Sequence, residues 1–126
     1  MMRYRGDLAA LMLAVAQGRL TEAKVPVFAD EAALTVVMAA NGYPSTPEKG
    51  GAITIGDTQG ARVFHAGTAV RNGALVASGG RVLNVTATGA SVTQAQSAAY
   101  RAMGAISFPT GFCRRDIGWR EVAREG

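Results

Sequence analysis

The residues best suited to chemistry lie in three short stretches of the second half of the chain. They are Phe64-His65-Ala66-Gly67-Thr68, Gly79-Gly80-Arg81-Val82-Leu83 and Phe112-Cys113-Arg114-Arg115-Asp116-Ile117-Gly118. Arginine suits a phosphate because its planar fork donates two parallel hydrogen bonds. Each such charged bond contributes on the order of 1.5–3 kcal/mol, so Arg81, which follows two glycines, is either a surface arginine or a ligand for an anion. Gly67, Gly79 and Gly80 are either turn glycines or points where backbone amides can approach an anion closely. His65, the sole histidine, is either a satisfied structural histidine or an orienting, phosphate-facing donor. Asp116 should pair with one of its two neighbouring arginines and leave the other free for a ligand or a neighbouring domain. Cys113 reads as a small packed residue, since a nucleophile needs a base beside it. One histidine and one cysteine do not make a zinc site. No paired carboxylates stand out as general acid and base, and no acidic cluster suggests magnesium. Neither a Walker loop nor a dinucleotide fingerprint occurs.

Composition sets the frame for these motifs. The chain has 126 residues, 48% hydrophobic and 17% charged, an ordinary globular balance. A domain of this size buries roughly two-thirds of its unfolded surface. The net charge of +4 favours an anionic partner. The arginines are scattered and not interleaved with aromatics, which argues against a nucleic-acid surface. A phosphorylated metabolite, or a larger acidic remainder of the same protein, fits as well. No apolar run reaches the ~18 residues of a membrane span, so no membrane partner is expected. The apolar stretch Leu8 to Val15 is short and periodic, which predicts a helix and not a signal peptide. A single cysteine allows no internal disulfide, and with no export signal the cytoplasm is the expected compartment.

The elements that must position the motifs follow from spacing. Leu8, Leu11, Met12 and Val15 form a helical stripe, with Asp7 as N-cap and Gly18 as the closing glycine. A boundary is expected after Lys24, ahead of Pro26. Ala32 to Ala40 is a continuous apolar run closed by Asn41-Gly42, which predicts a buried strand. Tyr43 to Gly51 reads as a surface loop. Arg62 to Thr88 reads as a β-meander with two-residue turns at Asn72-Gly73 and Gly79-Gly80. That register places Gly67 opposite Ser78 and Ser78 opposite Arg81, so the His65–Thr68 and Gly-Gly-Arg motifs should meet at one end of the sheet. Ser91 and Gln94 mark the start of a second helix, with Val92, Ala95, Ala99 and Ala102 as a small-residue stripe against the sheet. Gly104 should end it, Ile106 and Phe108 should add a short strand, and Trp119 should anchor a basic, partly helical tail.

The three motifs, in this order, resemble the C-terminal end of phosphoribosylamine–glycine ligases (glycinamide ribonucleotide synthetases), ATP-grasp enzymes of purine biosynthesis. Met1-Met2-Arg3 to Gly18, Leu34 to Pro44, Ala95 to Tyr100, Ile106 and Arg114 to Arg120 complete the pattern. The resemblance implies an α+β fold. A small antiparallel, barrel-like sheet with one packed helix would form the C-terminal domain, residues 25–126, preceded by the last helix and linker of the ATP-grasp module, residues 1–24. The family couples ATP cleavage to amide formation between glycine and 5-phosphoribosylamine, with glycyl phosphate as the activated form. ATP and magnesium are implied for the full-length enzyme, held by residues N-terminal to this stretch. Neither is expected to bind these residues alone, which should not catalyse the reaction. The implied partners are the ATP-grasp and N-terminal domains, with 5-phosphoribosylamine and glycine as substrates. The residues expected to help position the phosphoribosyl group are His65, Gly67, Thr68, Gly80 and Arg81, with Arg115 behind them. Two rival readings are a non-catalytic scaffold or interaction domain derived from that enzyme, and a weaker one of a basic RNA-binding module. The segment Ser45 to Gly60 carries nothing the resemblance assigns.

Overall fold

The computed structural model describes all residues, 1–126. The N-terminal unit is built around one helix. Strand β1 (Tyr4–Arg5) precedes helix α1 (Leu8–Ala16), and strand β2 (Val27–Phe28) returns to pair antiparallel with β1. Both helix ends close as the sequence predicts. Asp7 accepts a hydrogen bond from the Ala10 N–H at 2.9 Å, satisfying an otherwise orphan donor. At the other end Gly18 takes a φ of +67°. The Gly18 N–H donates to the Val15 carbonyl and the Arg19 N–H to the Ala14 carbonyl at 2.8 Å, which is a Schellman closure. Yet no residue of α1 is buried, and Met12, Leu13 and Val15 stand mostly in solvent. The apolar stripe finds no cover within these residues.

The second unit contains the core. Its elements are β3 (Ala32–Ala40), β4 (Thr54–Ile55), β5 (Arg62–His65), β6 (Thr68–Arg71), β7 (Ala74–Ala77), β8 (Arg81–Gly89), α2 (Val92–Gly104), β9 (Ile106–Ser107), β10 (Gly111–Cys113) and α3 (Trp119–Glu125). Four strands form the main antiparallel sheet in the order β10-β3-β8-β5. One face carries Val36, Leu83 and Val85, all fully buried. Helix α2 covers that face with Ala95, Ala99 and Ala102, whose small side chains let the helix axis lie close to the strands. The chain is thus α+β, with a small antiparallel sheet and one helix packed on it, as the sequence implies.

The meander differs from its expected pairing. The hairpin β6–β7 forms with Arg71 opposite Ala74, and Asn72 and Gly73 both take positive φ, +51° and +78°, as a primed turn requires. Gly79 and Gly80 do not take positive φ, and β7 does not pair with β8. Instead β8 pairs with β3 on one side and with β5 on the other. The reason is hydrophobic. Val82, Leu83, Val85 and Ala87 are all buried, and a central position suits so apolar a strand better than the edge of a meander. The hairpin β6–β7 becomes an excursion between two strands that pair directly.

The tail from Arg114 onward lies along α2 as a strap. The Tyr100 hydroxyl donates to the Arg114 carbonyl at 2.9 Å and accepts from the Ile117 N–H at 3.0 Å. Gln96 Nε2 donates to the Ile117 carbonyl at 2.7 Å. Glu125 accepts from the N–H groups of Val92 and Thr93 and from the Thr93 hydroxyl, at 2.6, 2.9 and 2.7 Å. Thr93, Gln96 and Tyr100 fall three and four residues apart and so share one side of the helix. Trp119, expected as the anchor, is instead mostly exposed, with the Arg120 guanidinium 5.3 Å from its ring centre. Hydrogen bonds to α2, and not burial of the indole, hold the tail.

Candidate functional site

The pairing of β5 with β8 continues one step beyond the strands. The Ala66 N–H donates to the Val82 carbonyl at 3.0 Å and the Gly67 N–H to the Arg81 carbonyl at 2.9 Å. The Gly67 carbonyl then accepts from the N–H groups of Ser78 and Gly79, at 2.8 and 3.2 Å. His65, Gly67, Thr68, Gly80 and Arg81 therefore come together at one end of the sheet. The convergence read from the sequence holds, although it is produced by β5–β8 pairing and not by a second hairpin.

The glycines earn their places by close approach. A Cβ on Gly67 would lie 2.7 Å from the Arg81 carbonyl oxygen and 2.9 Å from the Gly79 Cα. A Cβ on Gly80 would lie 2.5 Å from Cδ2 of the Tyr43 ring. The amides of Gly67 and Gly79 are spent within the backbone and are not available to an anion. The Gly80 N–H has no partner in the chain and is the free backbone donor among these glycines.

The charged and polar side chains at this end face solvent. His65 is exposed, so it is not a buried structural histidine. Its Nδ1 lies 3.1 Å from the Thr68 hydroxyl, which orients the ring and leaves Nε2 without a partner in the chain. Arg81 is exposed and forms no ion pair, unlike Arg5, Arg19, Arg114 and Arg124. A free guanidinium next to a free backbone N–H can hold a phosphate, and an exposed imidazole can meet a sugar hydroxyl or a phosphate oxygen.

Arg115 lies elsewhere. It follows β10, whereas His65 is on β5, and these are the two opposite edges of the sheet, roughly 14 Å apart at the usual strand spacing. Arg114 and not Arg115 takes Asp116, through Nε to Oδ1 at 2.9 Å and Nη2 to Oδ2 at 2.6 Å. The Arg114 hydrogen bond holds the Asp116 carboxyl below its ordinary value, and Asp116 raises Arg114 in turn. Arg115 remains without a carboxylate partner, as one arginine of the pair should. No group of three or more histidine, cysteine, aspartate or glutamate side chains could hold a metal ion, so these residues do not fit a magnesium centre.

Two features escape a reading of the sequence. Tyr43, in a loop that reads only as surface, packs its ring against Gly80; its place directly after Asn41-Gly42 is the available signal. Glu125 was unremarked in a charged tail. Its carboxyl is lowered to about 2 by the hydroxyl of Thr93 and the amides of Thr93 and Val92.

Residues 33–120 match the family described as phosphoribosylglycinamide synthetase, C domain. The chain is 57% identical to a phosphoribosylamine–glycine ligase of Mesorhizobium japonicum, over 99% of its own length and 30% of that protein. It is 54% identical to the enzyme of the same name from Brucella melitensis, again over 99% of the chain and 30% of the relative. Among solved structures, the phosphoribosylamine–glycine ligase of Thermotoga maritima superposes with a TM-score of 0.72 at 36% identity. That match covers 85% of this chain and 27% of that one. The chain thus spans about a third of the length of the relatives it matches.

Proposed function

The chain belongs to the phosphoribosylglycinamide synthetase C-domain family, and from that premise we propose that it is the C-terminal portion of a phosphoribosylamine–glycine ligase. In this reading the whole enzyme makes glycinamide ribonucleotide from 5-phosphoribosylamine, glycine and ATP in purine biosynthesis, and works in the cytoplasm. Residues 1–24 are the end of the ATP-grasp module and residues 25–126 the C-terminal domain. Val27–Phe28, just past that boundary, pair back onto Tyr4–Arg5 of the first unit. ATP and magnesium belong to the remaining domains.

This portion's share is to grip the phosphoribosyl substrate. Arg81 supplies a two-pronged donor for its phosphate and Gly80 a backbone N–H. His65, held at Nδ1 by Thr68, offers Nε2 to a ribose hydroxyl or phosphate oxygen. Gly67 keeps the two strands close enough for these groups to share one substrate, and Tyr43 walls the site. Arg115, at the far edge of the sheet, serves the contact with a neighbouring domain. The observation that carries this reading is the alignment with named ligases over 99% of the chain.

The test is a chimera in which these 126 residues replace the matching part of the Mesorhizobium japonicum ligase. Glycine-dependent ADP formation at a rate near that of the parent is the expected result. A folded chimera with no such activity would overturn the assignment. The exposed stripe of α1 favours a second reading, a scaffold that only binds. Under it, the chimera would assemble normally and stay inactive.

A further inference from the structure

The main sheet has a second face that no helix of the chain covers. Residues opposite one another across antiparallel strands share a face, so the register defines its membership. Phe64 lies opposite Asn84, and Asn84 opposite Val37; Arg62 lies opposite Thr86, and Thr86 opposite Thr35; Phe112 lies opposite Ala39. All these positions alternate with the core-facing Val36, Met38, Leu83 and Val85, which α2 covers. Phe64 and Phe112 are each 44% exposed on the bare face. The central polar pair, Thr35 and Thr86, is hydrogen-bonded hydroxyl to hydroxyl at 2.8 Å, so burying it leaves no unpaired group. An antiparallel sheet facing water ordinarily presents polar side chains there; two phenylalanines and a valine across this one call for cover.

We propose that this face, from Phe64 on β5 to Phe112 on β10, is the surface onto which the rest of the ligase polypeptide packs, and that its docking closes the candidate site. The inference rests on the reading given under Proposed function. Three observations select the occupant. The relatives carry about 70% of their length outside the part this chain matches, so a large body of protein is available to cover the face. The face adjoins the candidate site through Arg81, which lies opposite Ala39, itself opposite Phe112. Its edges carry Arg62 and Arg115, neither engaged in an ion pair, so the partner surface should be apolar with an acidic rim. A second copy of this chain, equally basic, would bring those arginines towards one another.

Hydroxyl-radical footprinting reads the two phenylalanines directly. Oxidation of Phe64 and Phe112, normalised to an added dosimeter peptide, is compared between the isolated 126-residue chain and the chimeric ligase. At least fivefold protection of both rings in the chimera supports docking. Equal oxidation in the two proteins overturns it. So does protection in the isolated chain that rises with its concentration, because the occupant is then a second copy. The two readings fail separately. An active chimera with unprotected rings refutes only the docking face, and an inactive chimera with protected rings refutes only the ligase assignment.

Discussion

Substituting Gly67 with alanine tests whether close backbone approach builds the site. Gly67 does not have a positive φ, so the backbone tolerates alanine and the cost is purely steric. The new Cβ would stand 2.7 Å from the Arg81 carbonyl oxygen and 2.9 Å from the Gly79 Cα, against ordinary contacts of 3.4 Å or more. Both obstacles are backbone atoms and cannot rotate aside. Relief requires parting the strands where Gly67 donates to Arg81 and accepts from Ser78 and Gly79. Overpacking of this kind costs about 1–3 kcal/mol, comparable to losing one or two of those bonds. For a chain of this length, with an unfolding entropy near 2.1 cal/mol/K per residue, that lowers the melting midpoint by roughly 4–12 °C. Thermal unfolding followed by circular dichroism measures the shift, with Gly104→Ala as the control. A Cβ on Gly104 meets nothing within 4 Å, and alanine near a helix end should raise the midpoint slightly. A Gly67→Ala midpoint equal to wild type would refute the close-approach account, and with it the reason this end of the sheet holds its shape.

Leu83 is fully buried beneath α2, and Leu83→Ala should cost about 2–5 kcal/mol; a midpoint within a degree of wild type would contradict the assigned core. The strap should be sensitive to acid. Glu125 titrates near 2 when docked against 4.5 ordinarily. A depressed pKa stabilises docking above the ordinary value, and that contribution is lost as pH falls from about 4.5 towards 2. Trp119 fluorescence should report release of the strap over that window. Asp116 pairs with Arg114 inside the strap and does not link it to α2, so Glu125→Gln should abolish this transition. An unchanged transition in that variant would refute the Glu125 contact.

Local rules were legible where one segment decides its own shape. The Asp7 cap, the Gly18 closure, the Asn72-Gly73 turn and the Ala95-Ala99-Ala102 stripe were all readable, because each depends on residues within one or two turns of chain. The partner of β8 was not, since turn chemistry at Gly79-Gly80 competes there with burial of a strand nearly as apolar as β3. The two effects agree only on the outcome that mattered, that Gly67 and Arg81 meet. Trp119 misled for a related reason: its size suggested burial, while the tail is held by Glu125, Gln96 and Tyr100, whose complementarity becomes visible only once α2 and the strap are side by side. Arg115 was grouped with Arg81 because a linear motif carries no statement of which sheet edge it falls on.

The central claim is that this end of the sheet grips the phosphoribosyl group, and Arg81→Ala in the chimeric ligase tests it most directly. Losing one charged, two-pronged contact weakens phosphate binding by about 1.5–3 kcal/mol, or roughly 10- to 150-fold. Steady-state ADP formation should show the KM for 5-phosphoribosylamine rising within that range while the KM for ATP stays unchanged. An unchanged KM for 5-phosphoribosylamine would contradict the account.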